Sequence, residues 1–388
     1  MKIIQIGSFP IDTSLIKGGV EASVYGLATE QAKHHEVFVL DLPRFEVKKD
    51  VETVVGGCKV QRFSNKKNSN IYAILRLKSF LRIIKILKPE ICHLHTTSLF
   101  TLLCFILLRF NKIPCIITVH GLAHIEKKNI FNKNPNIQNF TKYINQSITE
   151  FIFLSSCSTC IVDTQYVFEA IKQYKKEHKI LRIPTCIVIP QGINSVYFEI
   201  VPEIENLRIL SVGTFSRRKG HHLLIEAMKI VYNKFPAFRL DIVGIVSEKL
   251  YFEKLELIIK ESGLSENIKL HPNTNFENLI EMYSAAQLFV LHSEEESQGI
   301  VFCEAMASRK PIVATNVGGV SYIIENNKNG LLSEYGDVEL FASNIIHLLT
   351  DSKTQQEMVE SNRNDSQTYK WEIIENKIFS LYQSIIKA

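Results

Sequence analysis

The chain has 388 residues, of which 46% are hydrophobic and 22% are charged, a composition typical of a globular protein. This length exceeds what a single hydrophobic core usually covers. Its net charge of +5 is uneven, because residues 1–200 carry 26 lysines and arginines against 15 aspartates and glutamates, a balance of +11, and residues 201–388 carry 19 against 25, a balance of −6. This asymmetry predicts two domains and a front half that meets an anionic surface or acceptor, whereas the absence of an arginine-rich or aromatic-interleaved stretch argues against a nucleic acid.

The N-terminal segment reads as a strand followed by a turn and lacks the apolar core of a signal peptide. The longest apolar run, residues 98–108, is too short to span a bilayer, so we expect a cytoplasmic protein without a transmembrane segment. The eight cysteines mostly lie in apolar runs, and the single pair at Cys157 and Cys160 has no second pair, which favours buried thiols over a metal or redox site.

The first half opens with a strand at residues 2–6, a polar loop, a helix at about residues 20–33 and a strand at 36–40. The loop contains Gly18 and Gly19, and a glycine pair between a strand and a helix lets backbone N–H groups approach a phosphate. It is not a dinucleotide fingerprint, and a flexible turn explains the pair equally well.

Residues 71–88 place apolar side chains at helical spacing with basic side chains between them. Such a helix can lie on an anionic membrane, or it can be a domain helix with a solvated basic face. Its basic residues are Arg76, Lys78, Arg82, Lys85 and Lys88.

Strands follow at residues 91–95 and 115–121, and His120 ends the second of them. Ligands of open parallel sheets bind outside the carboxyl ends of strands, so His120 is a candidate site residue. His93 is better explained as a core histidine, and for His95 both readings stay open. Residues 122–150 are polar and read as an irregular loop that contacts an acceptor or forms plain surface.

The pattern breaks at residues 189–192, and a second series of strands and helices begins at residue 208. We therefore predict a first domain over residues 1–195, a second over 196–367, and a terminal helix at 368–388 that returns to the first domain. In the second series, Lys219 and Gly220 open a helix.

Glu296 lies in the loop before another helix of the second series, and Glu304, eight positions later, lies inside that helix. A lysine and helix N termini suit a diphosphate, and two carboxylates beside them suit a ligand rich in hydroxyl groups. No cluster with metal-ligand spacing is visible in the sequence.

These motifs resemble family 4 of the retaining glycosyltransferases, which have the GT-B architecture. The resemblance is strongest over residues 293–319, which contain the E-x7-E signature, and extends to 212–220, 189–194, 118–121 and 18–21. It implies two doubly wound Rossmann-like domains that face a cleft, and no metal or other cofactor. One departure is Thr214, where the family usually has arginine, so Arg217 or Arg218 would have to supply the second cation.

The resemblance also implies roles for individual residues. Glu296 would bond hydroxyls of the donor sugar, Glu304 the ribose, and Lys219 the diphosphate, while His120 would contact the sugar beside the reacting carbon. The remaining residues expected to bind the donor are Gly18, Gly19, Thr214, Arg217, Arg218, Asn273, Gly299, Ile300 and Val301.

The predicted function is transfer of a sugar from a UDP- or GDP-sugar to a glycan or lipid-linked acceptor, at the inner membrane face. An epimerase or phosphorylase of the same fold is one alternative. A non-catalytic partner that binds nucleotide sugars is another, motivated by Thr214 and by Tyr322, which replaces a family glutamate.

Overall fold

The chain forms two compact units, each with a predominantly parallel sheet and flanking helices, which confirms the predicted pair of doubly wound α/β domains. The first unit contains Met1–Phe9, Val20–Gly192 and Trp371–Ala388, and the second contains Pro10–Gly19 and Ile193–Lys370. The computed structural model describes residues 1–16, 18–44, 47, 50–64, 69–178 and 183–387.

The strands of the first unit are β1 (Lys2–Gly7), β2 (Glu36–Arg44), β3 (Val51–Val55), β4 (Cys58–Ser64), β5 (Ile91–Leu94), β6 (Cys115–Val119), β7 (Thr159–Val162) and β8 (Thr185–Val188). They pair in the order β3-β4-β2-β1-β5-β6-β7-β8, and every neighbouring pair except β3 and β4 is parallel. The order reverses between β1 and β5, which is where a doubly wound sheet binds its ligand.

Within the described residues, the helices of the first unit that lie before Gly192 are α1 (Gly19–Ala32), α2 (Ser69–Leu87), α3 (Leu99–Phe110), α4 (Ala123–Lys133), α5 (Ile137–Ser156) and α6 (Gln165–His178). The central strands are apolar and buried on both faces, as helices on both sides of a parallel sheet require. Phe80, Phe105 and Phe153 bring α2, α3 and α5 into one core with β1, β5 and β6.

Residues 122–150, predicted as an irregular loop, instead form α4 and most of α5, so that prediction was wrong. The side chain of Asn136 accepts a hydrogen bond from the N–H of Asn139 at 2.9 Å and caps the start of α5. The density of asparagine here lowers helix propensity, but packing of Phe153 and Leu154 into the core overrides it.

The hairpin of β3 and β4 was not predicted from the sequence. Its strands pair antiparallel from Val51 opposite Arg62 to Val55 opposite Cys58, with Gly56 and Gly57 as a two-residue turn. The hairpin extends the sheet beyond β2, because β4 pairs with β2 in parallel.

The strands of the second unit are β9 (Arg208–Val212), β10 (Arg239–Gly244), β11 (Ile268–Pro272), β12 (Leu288–Leu291), β13 (Ile312–Thr315) and β14 (Leu331–Ser333). They pair in parallel in the order β11-β10-β9-β12-β13-β14, so the order reverses between β9 and β12. The helices of this unit are α7 (Val196–Glu199), α8 (His221–Lys234), α9 (Lys249–Glu261), α10 (Phe276–Ala285), α11 (Ile300–Ala307), α12 (Val338–Thr350) and α13 (Ser352–Asp365).

The segment Pro10–Gly19 groups with the second unit, although the sequence assigned it to the first. The N–H of Phe276 donates a hydrogen bond to the carbonyl oxygen of Ser14 at 3.0 Å, which ties the segment to the start of α10. The unit boundaries also fall at Gly192 and Lys370, each three residues from the position predicted for the end of a domain.

The last helix, α14 (Trp371–Lys387), packs on the first unit, as predicted. Its Ile374, Ile378 and Tyr382 share a buried cluster with isoleucines of β1, β5, β6 and β7. The ring of Trp371 lies so close to two glycines, Gly26 and Gly192, that a Cβ on either would fall within 2.5 Å of a ring atom.

Along the part of the chain that the structure describes, no helix is both long enough and apolar enough to cross a membrane.

Replacing Gly26 by alanine tests the packing of Trp371. The new Cβ would lie 2.1 Å from Nε1 of Trp371, so we expect the free energy of unfolding to fall by about 1–3 kcal/mol. The fall should occur although alanine is favoured over glycine in a helix by about 1 kcal/mol. Urea denaturation of the Gly26→Ala variant measures this.

The same substitution in a Trp371→Leu background is the control, because the smaller side chain removes the clash. There we expect Gly26→Ala to cost nothing or to stabilise the protein. Equal stabilisation in both backgrounds would contradict the packing described here.

Candidate functional site

The first set of candidate residues lies at the carboxyl ends of β9 and β12, beside the switch point of the second sheet. After β9 the chain forms a 3₁₀ turn, Arg217–Lys219, which Gly220 ends in the left-handed conformation with φ 62°. A Cβ on Gly220 would lie 1.8 Å from the carbonyl oxygen of His292, so only glycine lets the turn pack against the end of β12. This contact places Lys219 beside the acidic loop that follows β12.

Lys219 and Glu296 form a buried ion pair, with 2.5 Å between Nζ of Lys219 and Oε1 of Glu296. Lys219 is 8% exposed and Glu296 is 4% exposed. The hydroxyl of Ser293 donates to the same carboxylate oxygen at 2.7 Å, and a guanidinium nitrogen of Arg218 lies 3.8 Å from the other. The two side chains expected to bind different parts of a donor thus bind each other in this structure.

The charges of this cluster compensate one another. Burial raises the pKa of Glu296, but the positive charges of Lys219 and Arg218 outweigh it and hold the pKa below its ordinary value. Burial lowers the pKa of Lys219, and the Glu296 carboxylate offsets part of that fall. A lysine and a glutamate this deeply buried stabilise each other in the charged form, since either alone would carry a large desolvation cost.

Arg218, and not Arg217, is the second cation near this carboxylate. Arg218 is half-buried, and its guanidinium also donates to the carbonyl oxygen of Glu295 at 2.6 Å. Arg217 is exposed, and its positive charge acts instead to lower the pKa of His222 and that of Tyr251. The two arginines therefore differ in place, although they are adjacent in the sequence.

The loop of Glu296 is fixed from behind by Gly318 and Gly319. The N–H of Gly319 donates to the carbonyl oxygen of Glu296 at 2.8 Å, and a Cβ on Gly318 would lie 2.1 Å from that oxygen. The turn after β13 thus holds the acidic loop in register with β12, which explains the glycine pair that the sequence shows there.

Helix α11 begins at Ile300, after Gly299 in the left-handed conformation with φ 75°. No described side chain caps this N terminus, so the N–H groups at Ile300 and Val301 are oriented as an anion site requires. A Cβ on Gly19 would lie 3.9 Å from Cγ2 of Ile300, which places the glycine pair at residues 18 and 19 beside the start of the helix.

Glu304 lies on α11, half-buried, with its carboxylate beside two buried tyrosines that the sequence did not indicate. The hydroxyl of Tyr283 donates to Oε2 at 3.4 Å, and Tyr197 donates to the same carboxylate. Burial raises the pKa of Glu304 to about 8, and the two tyrosine bonds only partly oppose it. Glu304 is thus a carboxyl group with a strong preference for its neutral form in the ligand-free protein.

Two further predicted residues follow strands of the same sheet, β9 and β11, which are separated by β10. Thr214 follows β9, and its hydroxyl lies 3.3 Å from that of Ser216. Asn273 follows β11 with a positive φ of 55°, and its N–H donates to the carbonyl oxygen of Gly244 at 2.8 Å. Neither makes a described contact with Lys219 or with either candidate glutamate.

The second set of candidate residues belongs to the first unit and centres on His120. Its Nδ1 lies 2.8 Å from Oδ2 of Asp163, and the amide of Gln191 donates to the same Asp163 oxygen at 2.7 Å. The other ring nitrogen, Nε2, is buried and has no hydrogen-bond partner among the described residues. His120 is thus oriented through Nδ1, and its buried Nε2 is left without a described hydrogen-bond partner.

The sequence did not single out Asp163 or Gln191 as functional residues. Asp163 directly follows β7, and Gln191 lies three residues beyond the end of β8, on the two strands that succeed the strand of His120. Polar residues at successive carboxyl ends of a parallel sheet lie side by side, and that rule would have found them.

His93 and His95 stack beneath His120, with centroid distances of 4.1 Å between the first pair of rings and 5.8 Å between His95 and His120. Both ring nitrogens of His93 are bonded, to Tyr382 and to Thr118, so it is the core histidine that was expected. Burial lowers the pKa of His93 to about 3 and that of His95 far below its ordinary value. Both rings are therefore neutral supports for His120.

Among the described residues, no group of three or more histidine, cysteine, aspartate or glutamate side chains is arranged to hold a metal ion.

The basic helix α2 has its apolar face in the core over the described part of its length. Leu77, Phe80, Ile84 and Leu87 pack with the first sheet, whereas Lys78, Arg82, Lys85 and Lys88 are exposed. Arg76 is partly buried, and burial lowers its pKa. This favours the reading of α2 as a domain helix with a solvated basic face.

The chain is similar in sequence to two glycosyl-transferring proteins of known name. D-inositol 3-phosphate glycosyltransferase of Corynebacterium urealyticum is 30% identical over 178 residues, which are 45% of this chain and 42% of that protein. The match thus covers less than half of that relative. Alpha-monoglucosyldiacylglycerol synthase of Acholeplasma laidlawii is 21% identical over 413 aligned positions, covering 99% of this chain and 98% of that protein.

Two solved structures share the fold over nearly the whole chain. Sucrose-phosphate synthase from Thermosynechococcus elongatus has a TM-score of 0.82 at 20% identity and full coverage of both chains. HepE from Anabaena, in complex with UDP-glucose, has a TM-score of 0.72 at 18% identity, covering 99% of this chain and 100% of the other.

Two family models match consecutive parts of the chain. The model "Glycosyltransferase Family 4" matches residues 17–189, and "Glycosyl transferases group 1" matches residues 199–365. Their boundary falls at the passage from the first unit to the second. The chain therefore belongs to the family 4 glycosyltransferases, with the GT-B fold.

Proposed function

We propose that this protein is a retaining, metal-independent glycosyltransferase that moves a sugar from a UDP- or GDP-sugar to a glycan or lipid-linked acceptor, in the synthesis of a surface polysaccharide or glycolipid. The observation that carries the proposal is the buried pair of Lys219 and Glu296 at the switch point of the second sheet. A buried ion pair stabilises a fold little, so its presence at a ligand-binding position favours a functional role.

The diphosphate of the donor would bind at the N terminus of α11, where the N–H groups of Ile300 and Val301 and the charge of Lys219 favour an anion. Arg218 would supply the second positive charge, since it already lies 3.8 Å from Glu296. These groups would stabilise the negative charge that develops on the departing diphosphate, which is the main catalytic contribution in such a site.

The two glutamates would bind hydroxyl groups rather than attack the sugar. Glu296 would accept hydrogen bonds from the donor sugar, and Glu304 from the ribose. In the transfer step the bond between the anomeric carbon and the diphosphate oxygen breaks, and the acceptor oxygen bonds to that carbon on the same face. The proton of the acceptor hydroxyl goes to the leaving phosphate, so no carboxylate nucleophile is needed.

In the first unit, His120 would contact the donor sugar through Nε2, with Asp163 and Gln191 as positioning residues. A carboxylate beside Nδ1 favours the tautomer in which Nδ1 carries the proton, and this leaves Nε2 as an acceptor for a sugar hydroxyl. The stacked neutral rings of His93 and His95 restrict the tilt of the His120 ring.

The names of the compared proteins support this class of reaction. Their descriptions include a UDP-glucose complex, a glycosyltransferase named for D-inositol 3-phosphate, and a synthase named for its glycolipid product, monoglucosyldiacylglycerol. The anomeric configuration of the product, read from its NMR coupling constant, tests retention directly. A product inverted relative to the donor would refute the retaining mechanism.

Replacing the charged pair tests the donor site. In Lys219→Met/Glu296→Gln, both buried charges disappear together, so the fold should survive better than in Lys219→Met, which strands a buried carboxylate. We expect the double variant to bind UDP or GDP at least about tenfold more weakly, a loss of about 1.4 kcal/mol. Its affinity for the matching nucleoside, which lacks the diphosphate, should not change; calorimetry measures both.

Lys229→Met is the matched control, because Lys229 is an exposed lysine on α8 that pairs with Glu226. It should bind the nucleoside diphosphate like the wild type. The site assignment fails if the double variant binds diphosphate and nucleoside with unchanged affinity.

The neutral form of Glu304 predicts a pH dependence of stability. Its pKa is about 8 in the folded protein and near 4.5 in the unfolded chain, so between these values the folded state binds the extra proton. Raising the pH through this window should therefore lower the free energy of unfolding, on the order of 5 kcal/mol, and Glu304→Gln should abolish that fall. Denaturant unfolding of the ligand-free protein at several pH values measures it.

The control for this experiment is Glu277→Gln, at an exposed glutamate in the first turn of α10. It should follow the pH profile of the wild type. Parallel profiles for the wild type and Glu304→Gln would show that the carboxyl group is already ionised in the folded protein.

Substitution of Asp163 tests the positioning of His120. The amide in Asp163→Asn can donate to Nδ1 and so favours the wrong tautomer, and we expect kcat to fall roughly 10- to 100-fold. The melting temperature and the affinity for the nucleoside diphosphate should stay unchanged, because the donor-binding cations belong to the second unit.

Asp241→Asn is the matched control, since Asp241 also bonds a histidine, His271, at 2.7 Å but on the second unit and with no proposed role. Its kcat should equal that of the wild type. An unchanged kcat in Asp163→Asn, or a parallel loss in both variants, would remove Asp163 from the mechanism.

A further inference from the structure

Four cysteines of the first unit form two pairs across its sheet. Cys92 lies directly opposite Cys115 on β5 and β6, and Cys160 lies directly opposite Cys186 on β7 and β8. Neighbouring strands lie about 4.8 Å apart, which is within the range of about 4.4–6.8 Å between the Cα atoms of a disulfide. The backbone of either pair therefore suits a disulfide bond, and the side chains decide between them.

The sulfur atoms of Cys160 and Cys186 are in contact. Their Sγ atoms lie 3.4 Å apart, and the thiol of Cys160 donates to the sulfur of Cys186. The sequence showed Cys160 beside Cys157, but the structure gives it a sulfur partner 26 residues further along the chain. The pair is therefore a product of strand pairing, and the spacing of cysteines in the sequence does not indicate it.

The two members of this pair differ in their access to solvent. Cys160 is completely buried, whereas Cys186 is half-buried on β8. That strand is the last in the order of the first sheet, and its outer side pairs with no described strand. Cys186 is therefore the thiol that a small oxidant in solution meets first.

Cys186 is also the more acidic thiol. The hydrogen bond from Cys160 lowers the pKa of Cys186 below its ordinary value, and the positive charge of Lys172 acts in the same direction, against the effect of burial. The same hydrogen bond, together with burial, raises the pKa of Cys160. In the other pair, burial raises the pKa of Cys115 to about 11 and that of Cys92 well above its ordinary value. Because the thiolate is the form that reacts with a peroxide, the pair on β7 and β8 is the reactive one.

We propose that Cys160 and Cys186 form a reversible disulfide site that responds to hydrogen peroxide. The thiolate of Cys186 attacks one peroxide oxygen, the O–O bond breaks, and the departing hydroxide takes up the proton that Cys186 released, which leaves a sulfenic acid. The sulfur of Cys160 then attacks the sulfur of Cys186, the S–O bond breaks, and the hydroxyl group leaves as water with the proton of the Cys160 thiol. The two thiols lose two electrons, and one peroxide is reduced to two molecules of water.

The site lies on the two strands that carry the supports of His120. Asp163 follows Cys160 by three residues, and Gln191 follows Cys186 by five. A disulfide bond is about 2.0 Å long, so its formation draws the two sulfurs, and β8 with them, closer to β7. We expect this to shift the hydrogen bond between Gln191 and Asp163, and through it the ring of His120. This consequence rests on the proposed function, whereas the disulfide does not.

The experiment treats the reduced full chain with hydrogen peroxide and then alkylates it under denaturing conditions. We expect two of the eight thiols to resist alkylation, and a peptide map to show Cys160 linked to Cys186. Dithiothreitol should restore both thiols, because a disulfide is reducible whereas sulfinic and sulfonic acids are not. The kcat of sugar transfer should fall at least about threefold on oxidation and recover on reduction, since a small misplacement of a positioned group slows catalysis.

Cys186→Ser removes the reactive thiol and keeps a side chain of similar size that accepts a hydrogen bond. This variant should lose thiols to peroxide at least about tenfold more slowly than the wild type, because Cys160 alone is buried and protonated. Cys115→Ser is the matched control, since Cys115 is also half-buried and also lies opposite a buried cysteine. It should form the disulfide between Cys160 and Cys186 like the wild type.

Three results would overturn the proposal. These are oxidised protein without the peptide that links Cys160 to Cys186, a disulfide from Cys157 to Cys160 or from Cys92 to Cys115 in its place, and equal rates of thiol loss in Cys186→Ser and the wild type. A linked peptide with unchanged kcat would refute the effect on His120 alone. Failure of the proposed function is distinguishable, because it would appear as an absence of sugar transfer before any oxidation.

Discussion

The site in the second unit depends on one interaction, the buried contact between Lys219 and Glu296. Each residue is delivered by a different loop, and each loop is fixed by a glycine whose Cβ would collide with a backbone oxygen. Gly220 sets the loop of Lys219 against β12, and Gly318 sets the loop of Glu296 against the turn after β13. Without these close approaches the two charges would not meet.

This contact also determines what the site can accept. A ligand with only apolar surface cannot compensate the positive charge of the buried Lys219. A cationic ligand would compete with Lys219 for the Glu296 carboxylate. An anion beside Lys219 frees the Glu296 carboxylate, which then needs hydrogen-bond donors such as sugar hydroxyls. A ligand that carries a phosphate at one end and hydroxyl groups next to it satisfies both requirements at once, as a nucleotide sugar does.

Both units place their candidate site residues at the carboxyl ends of parallel strands. In both sheets the strand order reverses beside the first strand, and the candidate polar residues follow the carboxyl ends of strands: β9 and β12 at the reversal in the second unit, and β6, β7 and β8 on one side of it in the first. The residue types differ, since the second unit uses a lysine, an arginine and carboxylates, and the first uses a histidine with a carboxylate and an amide. A common scaffold thus carries two kinds of chemistry.

The sequence predicted the alternation of strands and helices because apolar runs of strand length recur between amphipathic segments. It also proposed Lys219, Glu296, Glu304 and His120 as candidate site residues, since each stands near a strand end or a helix start, and their roles stay predictions. It did not indicate Tyr283, because its contact with Glu304 joins residues distant in the chain, and it passed over Asp163, which stands at a strand end beside that of His120. It could not choose between Arg217 and Arg218, because the direction of each side chain depends on the 3₁₀ turn.

The position of α14 has a consequence for the order of assembly. Ile374, Ile378 and Tyr382 pack with Ile3, Ile91 and other strand residues of the first unit, yet they leave the ribosome after all the strands of that unit. The second unit ends at Lys370 and is therefore complete before the first. During synthesis, part of the sheet of the first unit therefore stays exposed to water until α14 is made and packs on it. A ribosome that stops before residue 371 releases a chain whose second unit is whole and whose first unit is not.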